Sequence, residues 1–182
     1  MSELPQIIKR LNLQGGDNYL ELIEIIKTKI TDAGYTIVEE NRDKPWGAYF
    51  RINSSTADSF VNDFFSGLTP SDARLGIEDA ELSPKFLIVK PGQRLSWQYH
   101  DRRAERWCFL TRGGYRKSST DEESERFEAQ PGEVVQFQKG ERHRLEGRED
   151  GLVLVAEIWQ HSDVVQPSDE DDIVRLADDY QR

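Results

Sequence analysis

GQRLSWQYHDRRAERWCFLTRG, residues 92–113, and GEVVQFQKGERH, residues 132–143, contain the most informative pattern in this chain of 182 residues. Both belong to a region, from Pro84 onward, in which short apolar runs alternate with turns that contain glycine or proline. We predict strands in this region at residues 85–90, 95–100, 106–111, 115–118, 126–129, 134–138 and 152–160. Short strands at this spacing are typical of an antiparallel sandwich or barrel, so the predicted fold class is mainly β.

Four polar side chains in these stretches are predicted to converge. Gln98 and His100 are two residues apart on a predicted strand, so both point to the same face of the sheet. Glu105 begins the next strand after a short turn and reaches that face if the two strands form a hairpin. His143 follows a later turn. Two imidazoles, a carboxylate and an amide oxygen form a mixed nitrogen and oxygen set that suits zinc, manganese, iron, cobalt or nickel.

The spacing of these residues resembles the two motifs of the cupin superfamily. Five residues separate Gly92 from Gln98 and four separate His100 from Glu105, while the second motif runs from Gly132 to His143. The resemblance implies a cupin, a double-stranded β-helix or jelly-roll barrel, here with an N-terminal helical extension. The chain departs from the superfamily pattern at four positions: Gln98 for a histidine, Gly113 one residue late, Gln138 for a proline and Gly147 for an asparagine.

A narrower resemblance is to the cupin domain of type II mannose-6-phosphate isomerases. It runs from about Lys44 to the C-terminus, with an inserted stretch at residues 53–81. The shared short motifs occur in the same order, and they are Lys44-Pro45-Trp46-Gly47, Lys90-Pro91-Gly92, Gln98-Tyr99-His100, Arg103-Ala104-Glu105, Trp107, His143-Arg144-Leu145-Glu146, Glu157-Ile158-Trp159-Gln160, Glu170-Asp171-Asp172-Ile173-Val174-Arg175 and Tyr180-Gln181-Arg182.

This resemblance implies an isomerase that interconverts a phosphorylated aldose and its ketose with the help of a divalent metal ion. Zinc is the expected ion, with cobalt, manganese, nickel and iron as alternatives. Arg175 and Arg103 are the implied catalytic residues, while Arg144 and Lys90 are expected to bind substrate, because arginine forks bind phosphate well. The sequence does not identify the general base, for which Glu133 or Lys90 is a hypothesis.

The departures from the isomerase pattern leave two other functions open. Arg102 and Arg106 replace family histidines, and residues 166–169 differ from the family's segment before Glu170. A non-catalytic cupin that binds a sugar or sugar nucleotide, or that serves as a structural dimer, is one alternative. An oxygen-using cupin enzyme is the other, although such sites usually resemble three histidines plus a carboxylate and Gln98 replaces the first. His161, outside both motifs, is expected to be an ordinary surface residue.

The remaining parts of the chain are predicted to be helical at both ends. A helix capped by Asn18 should run to about Ala33 with its apolar face formed by Leu20, Ile23, Ile26 and Ile30. Short strands are expected at residues 35–38 and 46–52, then a helix from Thr56 that packs Phe60, Phe64 and Phe65. Residues 171–180 are predicted to form a short helix. We therefore divide the single domain, 1–182, into a helical extension at 1–43 and a barrel with a C-terminal helix at 44–182.

Composition limits the partners and the compartment. The net charge of −10 argues against nucleic acid, and no apolar run is long enough to span a membrane. Without a secretory signal, and with Cys108 expected to be buried and unreactive, a cytoplasmic location is expected. The basic residues between Arg94 and Arg148 can bind a small anion such as a sugar phosphate, or form a solvated surface of mixed charge. A homodimer paired through a sheet edge is also expected.

Overall fold

Two antiparallel β-sheets form the barrel, in a computed structural model that describes residues 4, 6 and 19–181. The strands are β1 (Ile37–Lys44), β2 (Gly47–Ile52), β3 (Leu82–Val89), β4 (Trp97–Tyr99), β5 (Arg103–Phe109), β6 (Gly113–Ser118), β7 (Phe127–Ala129), β8 (Val134–Phe137), β9 (Arg142–Glu146), β10 (Val153–His161) and β11 (Val174–Ala177). One sheet has the order β1-β2-β3-β10-β5-β8 and the other β11-β4-β9-β6-β7. Because the chain crosses repeatedly between the two sheets, the predicted mainly β, jelly-roll architecture is confirmed.

The space between the sheets is filled by an apolar core. Alternate residues of each strand point inward, so Trp107 and Phe109 of β5 share this core with Phe137 of β8. The rings of Trp107 and Phe137 are 4.4 Å apart and meet edge to face. The rings of Phe137 and His143 are 4.6 Å apart, so this core adjoins polar residues of the neighbouring strands.

A second core lies on the outer face of the six-stranded sheet, beneath the helices. These are α1 (Tyr19–Asp32), α2 (Ala57–Phe64), which follows a 3₁₀ turn at Ser54–Thr56, and α3 (Pro70–Ala73). Phe60 and Phe64 of α2 pack on Phe86 of β3 with ring centroids 5.2 and 5.3 Å apart. The predicted packing role of these aromatics is confirmed, and the inserted stretch therefore covers the sheet.

The helical prediction at the N-terminal end is only partly confirmed. Ile23, Ile26 and Ile30 of α1 are buried as predicted, but Leu20 is 65% exposed. Periodicity assigns a residue to a helix face, yet it does not say how far the sheet beneath that face extends. Asn18, the predicted cap, lies outside the described residues.

The predicted helix at residues 171–180 is wrong. Val174–Ala177 forms β11, which pairs with β4 so that Val174 lies opposite Tyr99 and Arg175 opposite Gln98. The open edge of β4 supplies backbone partners, and this tertiary pairing overrides the local helical pattern. Strand β9 was also not predicted, because charged and apolar residues alternate too briefly in Arg142–Glu146 to stand out.

Four further predictions concern Cys108, the strand near residue 37, the sheet edges and membrane-spanning segments. Cys108 is buried, as predicted. Strand β1 is longer than the predicted strand at residues 35–38 and forms a hairpin with β2. Since β1 and β8 are the outer strands of the six-stranded sheet, pairing of two copies through such an edge stays a prediction. No helix among the described residues has both the length and the apolarity that a membrane crossing requires.

Candidate metal site

Strands from both sheets bring three of the predicted metal ligands together. His100 directly follows β4, Glu105 lies on β5, and His143 lies on β9, where its backbone is opposite Gln98 of β4. His100 and Glu105 are each 2% exposed and His143 is 1% exposed. Burying three such polar side chains together is costly unless each finds a partner, so the cluster requires an explanation.

The distances within the cluster suit a shared ion. Nε2 of His100 is 3.1 Å from Oε1 of Glu105, and Nε2 of His143 is 3.4 Å from Oε2 of the same carboxylate. One ligand atom from each of the three residues lies within 4.8 Å of the others. Atoms that bind one zinc ion, each at about 2.0–2.2 Å, are necessarily separated by about 3–4 Å.

Backbone carbonyl groups orient both imidazole rings. Nδ1 of His100 bonds to the carbonyl oxygen of Asp172, and Nδ1 of His143 bonds to that of Glu141 at 2.9 Å. A carbonyl oxygen only accepts, so each Nδ1 carries the proton and each Nε2 presents a lone pair. Metal-binding histidines usually have this arrangement, with the second nitrogen fixed by an acceptor.

Two atoms of the cluster have no hydrogen-bond partner. Oε2 of Glu105 and Nε2 of His143 are both buried and unsatisfied among the described residues. Buried acceptors without a partner are rare in folded proteins and often mark an absent ion or water. The residues therefore fit a divalent metal ion.

Gln98, the fourth predicted ligand, has a different position. Its amide oxygen accepts a hydrogen bond of 2.6 Å from the hydroxyl of Ser96, and the side chain is buried beside His143. It lines the same pocket as Glu105. Three of the four predicted ligands thus form the cluster, and ligation by Gln98 stays a prediction.

The Arg103 guanidinium contacts the cluster directly. Its Nε donates to Glu105 Oε1 at 2.8 Å, and its Nη2 donates to His100 Nε2 at 3.1 Å. The group also stacks on the ring of Trp159 at 3.6 Å. Arg103 therefore fixes the carboxylate and occupies the lone pair of one proposed ligand.

The protonation of these groups follows from burial and from their neighbours. Burial would raise the pKa of Glu105, but its contact with His100 and the positive charge of Arg103 outweigh burial and hold that pKa well below the usual range. Burial also lowers the pKa of His100, which favours the neutral imidazole that a metal ion requires. The cluster therefore contains an ionised carboxylate, Glu105, and a neutral imidazole, His100.

The segment between β10 and β11 closes one side of the site. The carboxylate of Asp172 accepts from the backbone N–H groups of Asp101 and Arg102, and the Ser168 hydroxyl donates to the same carboxylate. His161 accepts the Ser168 backbone N–H at Nδ1, at 2.9 Å. His161 is buried rather than a surface residue as expected, because this segment folds over it.

A small pocket opens beside the cluster. Its volume is about 80 Å³, and Glu105, Gln98 and Arg103 are among the residues that line it. Its remaining lining is formed by Lys44, Trp46, Tyr49, Lys85, Leu87, Leu95, Ser96, Glu157, Trp159, Glu170, Ile173 and Arg175. A polar pocket next to the proposed ion is where a small substrate can bind.

The predicted substrate residues are divided between this pocket and other surfaces. Arg175 and Arg103 line the pocket, and their catalytic role stays a prediction. Arg144 is on the other face of β9 from His143 and donates to Glu123 and to the Ala177 carbonyl oxygen. The structure does not bring Arg144 to the pocket, because neighbouring residues of a strand point to opposite faces.

The two hypotheses for the general base are not supported by position. Lys90 lies over the ring of Tyr19 at 4.8 Å, and Glu133 accepts the backbone N–H of Gln130 in a turn. Neither residue lines the pocket beside the cluster. Lys90 directly follows β3 and Glu133 directly precedes β8. Both therefore lie outside the strand segments whose side chains point inward.

Two pocket residues were not identified as functional from the sequence. Lys85 and Glu157 are buried and lie directly opposite each other on β3 and β10. Glu157 accepts a hydrogen bond of 2.9 Å from the indole N–H of Trp107, while Lys85 pairs with Glu170 and lies over the Trp159 ring. Each is a single charged residue within an apolar strand, and that signal could have identified them.

The environment of Glu157 favours its protonated form. Burial, and then the nearby charge of Glu105, raises the pKa of this carboxyl to about 8. A strongly shifted carboxyl in a pocket beside a candidate metal site is a frequent property of acid–base groups.

Comparison with solved structures supports the fold. Oxalate decarboxylase from Bacillus subtilis, at pH 4.6, has a TM-score of 0.51 and 14% identity, over 76% of this chain and 30% of that chain. The capsular polysaccharide assembling protein CapF from Staphylococcus aureus has a TM-score of 0.49 and 20% identity, over 97% and 42% of the two chains. DMSP lyases have a TM-score of 0.49 and 13% identity, over 96% and 78%. At these identities the oxalate decarboxylase likeness shows a cupin fold and nothing about activity.

Sequence comparison gives the family. No curated protein matches the chain significantly. The family described as mannose-6-phosphate isomerase C-terminal matches residues 76–178, which include the three clustered ligands and most of the pocket. Since this match covers more than half of the 182 residues, the chain belongs to the mannose-6-phosphate isomerase C-terminal family and has its cupin fold.

Proposed function

We propose that the protein is a metal-dependent sugar-phosphate isomerase, which interconverts an aldose and its ketose. Mannose 6-phosphate and fructose 6-phosphate are the first pair to test, since the chain belongs to the family named for that reaction. The observation that carries the proposal is the buried cluster of His100, Glu105 and His143, in which two ligand atoms have no partner.

The cluster supplies the ion site that this reaction requires. His100, Glu105 and His143 would hold a divalent ion, zinc in the first instance, with Gln98 as the proposed fourth ligand. When bound, the ion supplies positive charge that stabilises the oxyanion of an enediol intermediate. The mixed nitrogen and oxygen donors also suit cobalt, manganese, nickel or iron.

Glu157 is the residue best placed to move the proton between C1 and C2 of the sugar. It lines the pocket, it is not one of the clustered ligands, and the Trp107 indole fixes its carboxylate. A pKa of about 8 is near the working pH, and this is the condition under which a carboxyl both accepts and returns a proton. This assignment replaces Glu133 and Lys90.

The phosphate end of the substrate is proposed to lie near Lys44 and Arg175. Both line the pocket, and neither has an ion-pair partner among the described residues. Lys85 and Arg103 line it as well, but Lys85 is paired with Glu170 and Arg103 with Glu105. Free cations bind an arriving phosphate at a lower cost than cations that must first break a buried pair.

A metal-free sugar-binding module is the second candidate, and one observation favours it. Arg103 already bonds to both His100 and Glu105, so a guanidinium satisfies part of the cluster in place of an ion. Under this alternative the pocket binds a sugar phosphate without converting it.

Turnover with and without metal separates the two candidates. The protein is treated with a chelator and then assayed with mannose 6-phosphate and a panel of hexose, pentose and heptose phosphates, before and after zinc is added back. The isomerase proposal predicts that activity is lost and then restored. Calorimetric binding of one sugar phosphate by zinc-loaded protein, with no turnover of any member of the panel, would instead support the binding module.

A further inference from the structure

We propose that a cavity on the outside of the barrel is a second binding site, which takes a small anion that carries phosphate groups. The cavity, here called the arginine cavity, has a volume of about 600 Å³. Its lining includes five arginines from five separate segments of the chain: Arg94, Arg112, Arg116, Arg126 and Arg148. The proposal does not depend on the isomerase function.

The arginine cavity lies on the opposite side of the five-stranded sheet from the metal site. Successive residues of β9 point to opposite faces, and His143 and Leu145 face the barrel interior. Glu146, the next residue, therefore faces outward, and it lines the arginine cavity. A ligand there cannot contact the metal cluster, so it would occupy a separate site.

A buried carboxylate forms the floor of the cavity and fixes the arginines around it. The Glu146 side chain is 8% exposed. Its Oε1 lies 2.7 Å from Arg116 Nε and 3.7 Å from Arg94 Nη1, and its Oε2 lies 3.0 Å from Arg126 Nε. One negative charge thus holds three guanidinium groups in place. Fixed groups lose less conformational freedom when they bind a ligand, which favours binding.

A glycine makes room for one of these arginines. Gly114 of β6 lies opposite Glu146 in the strand register. A Cβ atom at position 114 would be 2.3 Å from Nε of Arg126, so any larger residue would displace this guanidinium. The absence of a side chain at Gly114 lets Arg126 lie against the sheet beside Glu146.

The other acidic partners of these arginines are on the surface. Arg126 pairs with Glu128, Arg148 with Asp150, Arg94 with Asp179 and Arg116 with Glu123. All four carboxylates are exposed. Exposed ion pairs contribute little free energy, so an anion with a higher charge can displace these carboxylates while Glu146 keeps its place.

Two donors in the cavity remain without partners. Arg112 is exposed and has no hydrogen bond or ion pair with the described part of the chain. Nε of Arg148 is buried and has no hydrogen-bond partner within residues 19–181. Buried donors without a protein partner are uncommon, and an anion bound in the cavity would satisfy this one.

The chemistry of the lining indicates the class of ligand. Guanidinium groups bind phosphate through paired, charge-assisted hydrogen bonds. A volume of about 600 Å³ is within the usual range for pockets that bind small organic ligands, so the arginine cavity admits an organic phosphate or diphosphate.

Calorimetric titration with inorganic pyrophosphate tests the proposal on the full chain, without metal and at constant ionic strength. We expect saturable binding by the wild-type protein. Arg112→Ala should weaken the affinity about tenfold, since one charge-assisted contact is lost. Because Arg112 is exposed, this variant should unfold at the wild-type temperature.

Arg51→Ala is the matched control, because Arg51 is an exposed arginine that lines neither the arginine cavity nor the pocket at the metal site. Its pyrophosphate affinity should equal that of the wild type. The proposal is overturned if wild-type protein shows no saturable binding, or if Arg112→Ala binds as tightly as wild type. No turnover is measured, so either failure leaves the isomerase proposal untouched.

Discussion

The guanidinium of Arg103 lies 3.1 Å from Nε2 of His100 and donates a hydrogen bond to it. That nitrogen is also the atom through which His100 would bind a metal ion. A lone pair cannot serve both partners, so metal binding must release this hydrogen bond. The contact between Arg103 and His100 therefore couples occupancy of the ion site to the position of a pocket arginine.

Arg103→Met should increase zinc affinity by about tenfold or more, because a positive charge beside a divalent ion opposes its binding. Methionine keeps an apolar stem against Trp159, on which Arg103 stacks. Competition with a chromophoric chelator measures the affinity. Arg102→Met is the matched control, since Arg102 pairs with the exposed Asp169, and it should bind zinc as the wild type does. Equal or weaker zinc binding by Arg103→Met would disprove the competition between Arg103 and the metal ion for Nε2 of His100.

Glu157→Gln should reduce isomerase turnover by about 10²–10⁴-fold while the zinc content stays the same. Glutamine keeps the shape of the side chain and can still accept the hydrogen bond from Trp107. It cannot exchange a proton with the sugar. Turnover and zinc content are measured on the same sample. Loss of zinc together with activity would show that Glu157 supports the ion site instead.

The stability of the metal-free protein should fall as the pH rises, through Glu157. Its pKa in the folded protein is about 8, whereas the ordinary value is 4.5. Between these values the folded protein holds a proton that the unfolded chain has lost. This stabilisation is complete below pH 4.5 and is lost as the pH rises through 8.

Glu157→Gln removes this contribution and serves as the reference. Thermal unfolding in the presence of a chelator, between about pH 5 and pH 9, should therefore show the wild type losing stability relative to the variant. A difference in melting temperature that does not change with pH would contradict the assignment of a raised pKa to Glu157.

Phe60→Ala should lower the free energy of unfolding by about 3–5 kcal/mol, because it leaves a cavity in a packed core. Phe60 is fully buried and contacts the rings of Tyr35, Phe64 and Phe86. Val165→Ala, at a position that is 89% exposed, should change the free energy of unfolding by less than about 0.5 kcal/mol. Denaturant unfolding measures both. A small effect of Phe60→Ala would mean that the inserted stretch does not stabilise the barrel.

The parts of the site that could be predicted are those that depend on local spacing. Residues two apart on a strand share a face, so Gln98 and His100 could be placed together from the sequence. The hairpin expected to bring Glu105 to this face does not form, because β5 pairs with β10 and β8, and Glu105 reaches the cluster from the other sheet. The alternation of apolar runs and turns was enough for the barrel itself.

The features of the site that could not be predicted depend on contacts between segments that are distant in the sequence. Arg175 lies on strand β11 because β4 has an open edge, and a helical pattern in the sequence carries no information about that edge. The orientation of Arg144 away from the pocket could not be predicted, because β9 was not identified from the sequence. The alternation of side chains along that strand could therefore not be used. Glu157 and Lys85 become a buried pair of neighbours only when β10 and β3 align.

Anomalous X-ray scattering at the zinc edge, on crystals of zinc-loaded protein, tests the metal site most directly. We predict one strong peak about 2.0–2.2 Å from Nε2 of His100, a carboxylate oxygen of Glu105 and Nε2 of His143, with the Arg103–His100 hydrogen bond broken. His143→Ala crystals treated in the same way should lose the peak. A wild-type map without a peak at this cluster, with Arg103 still bonded to His100 and Glu105, would contradict the account.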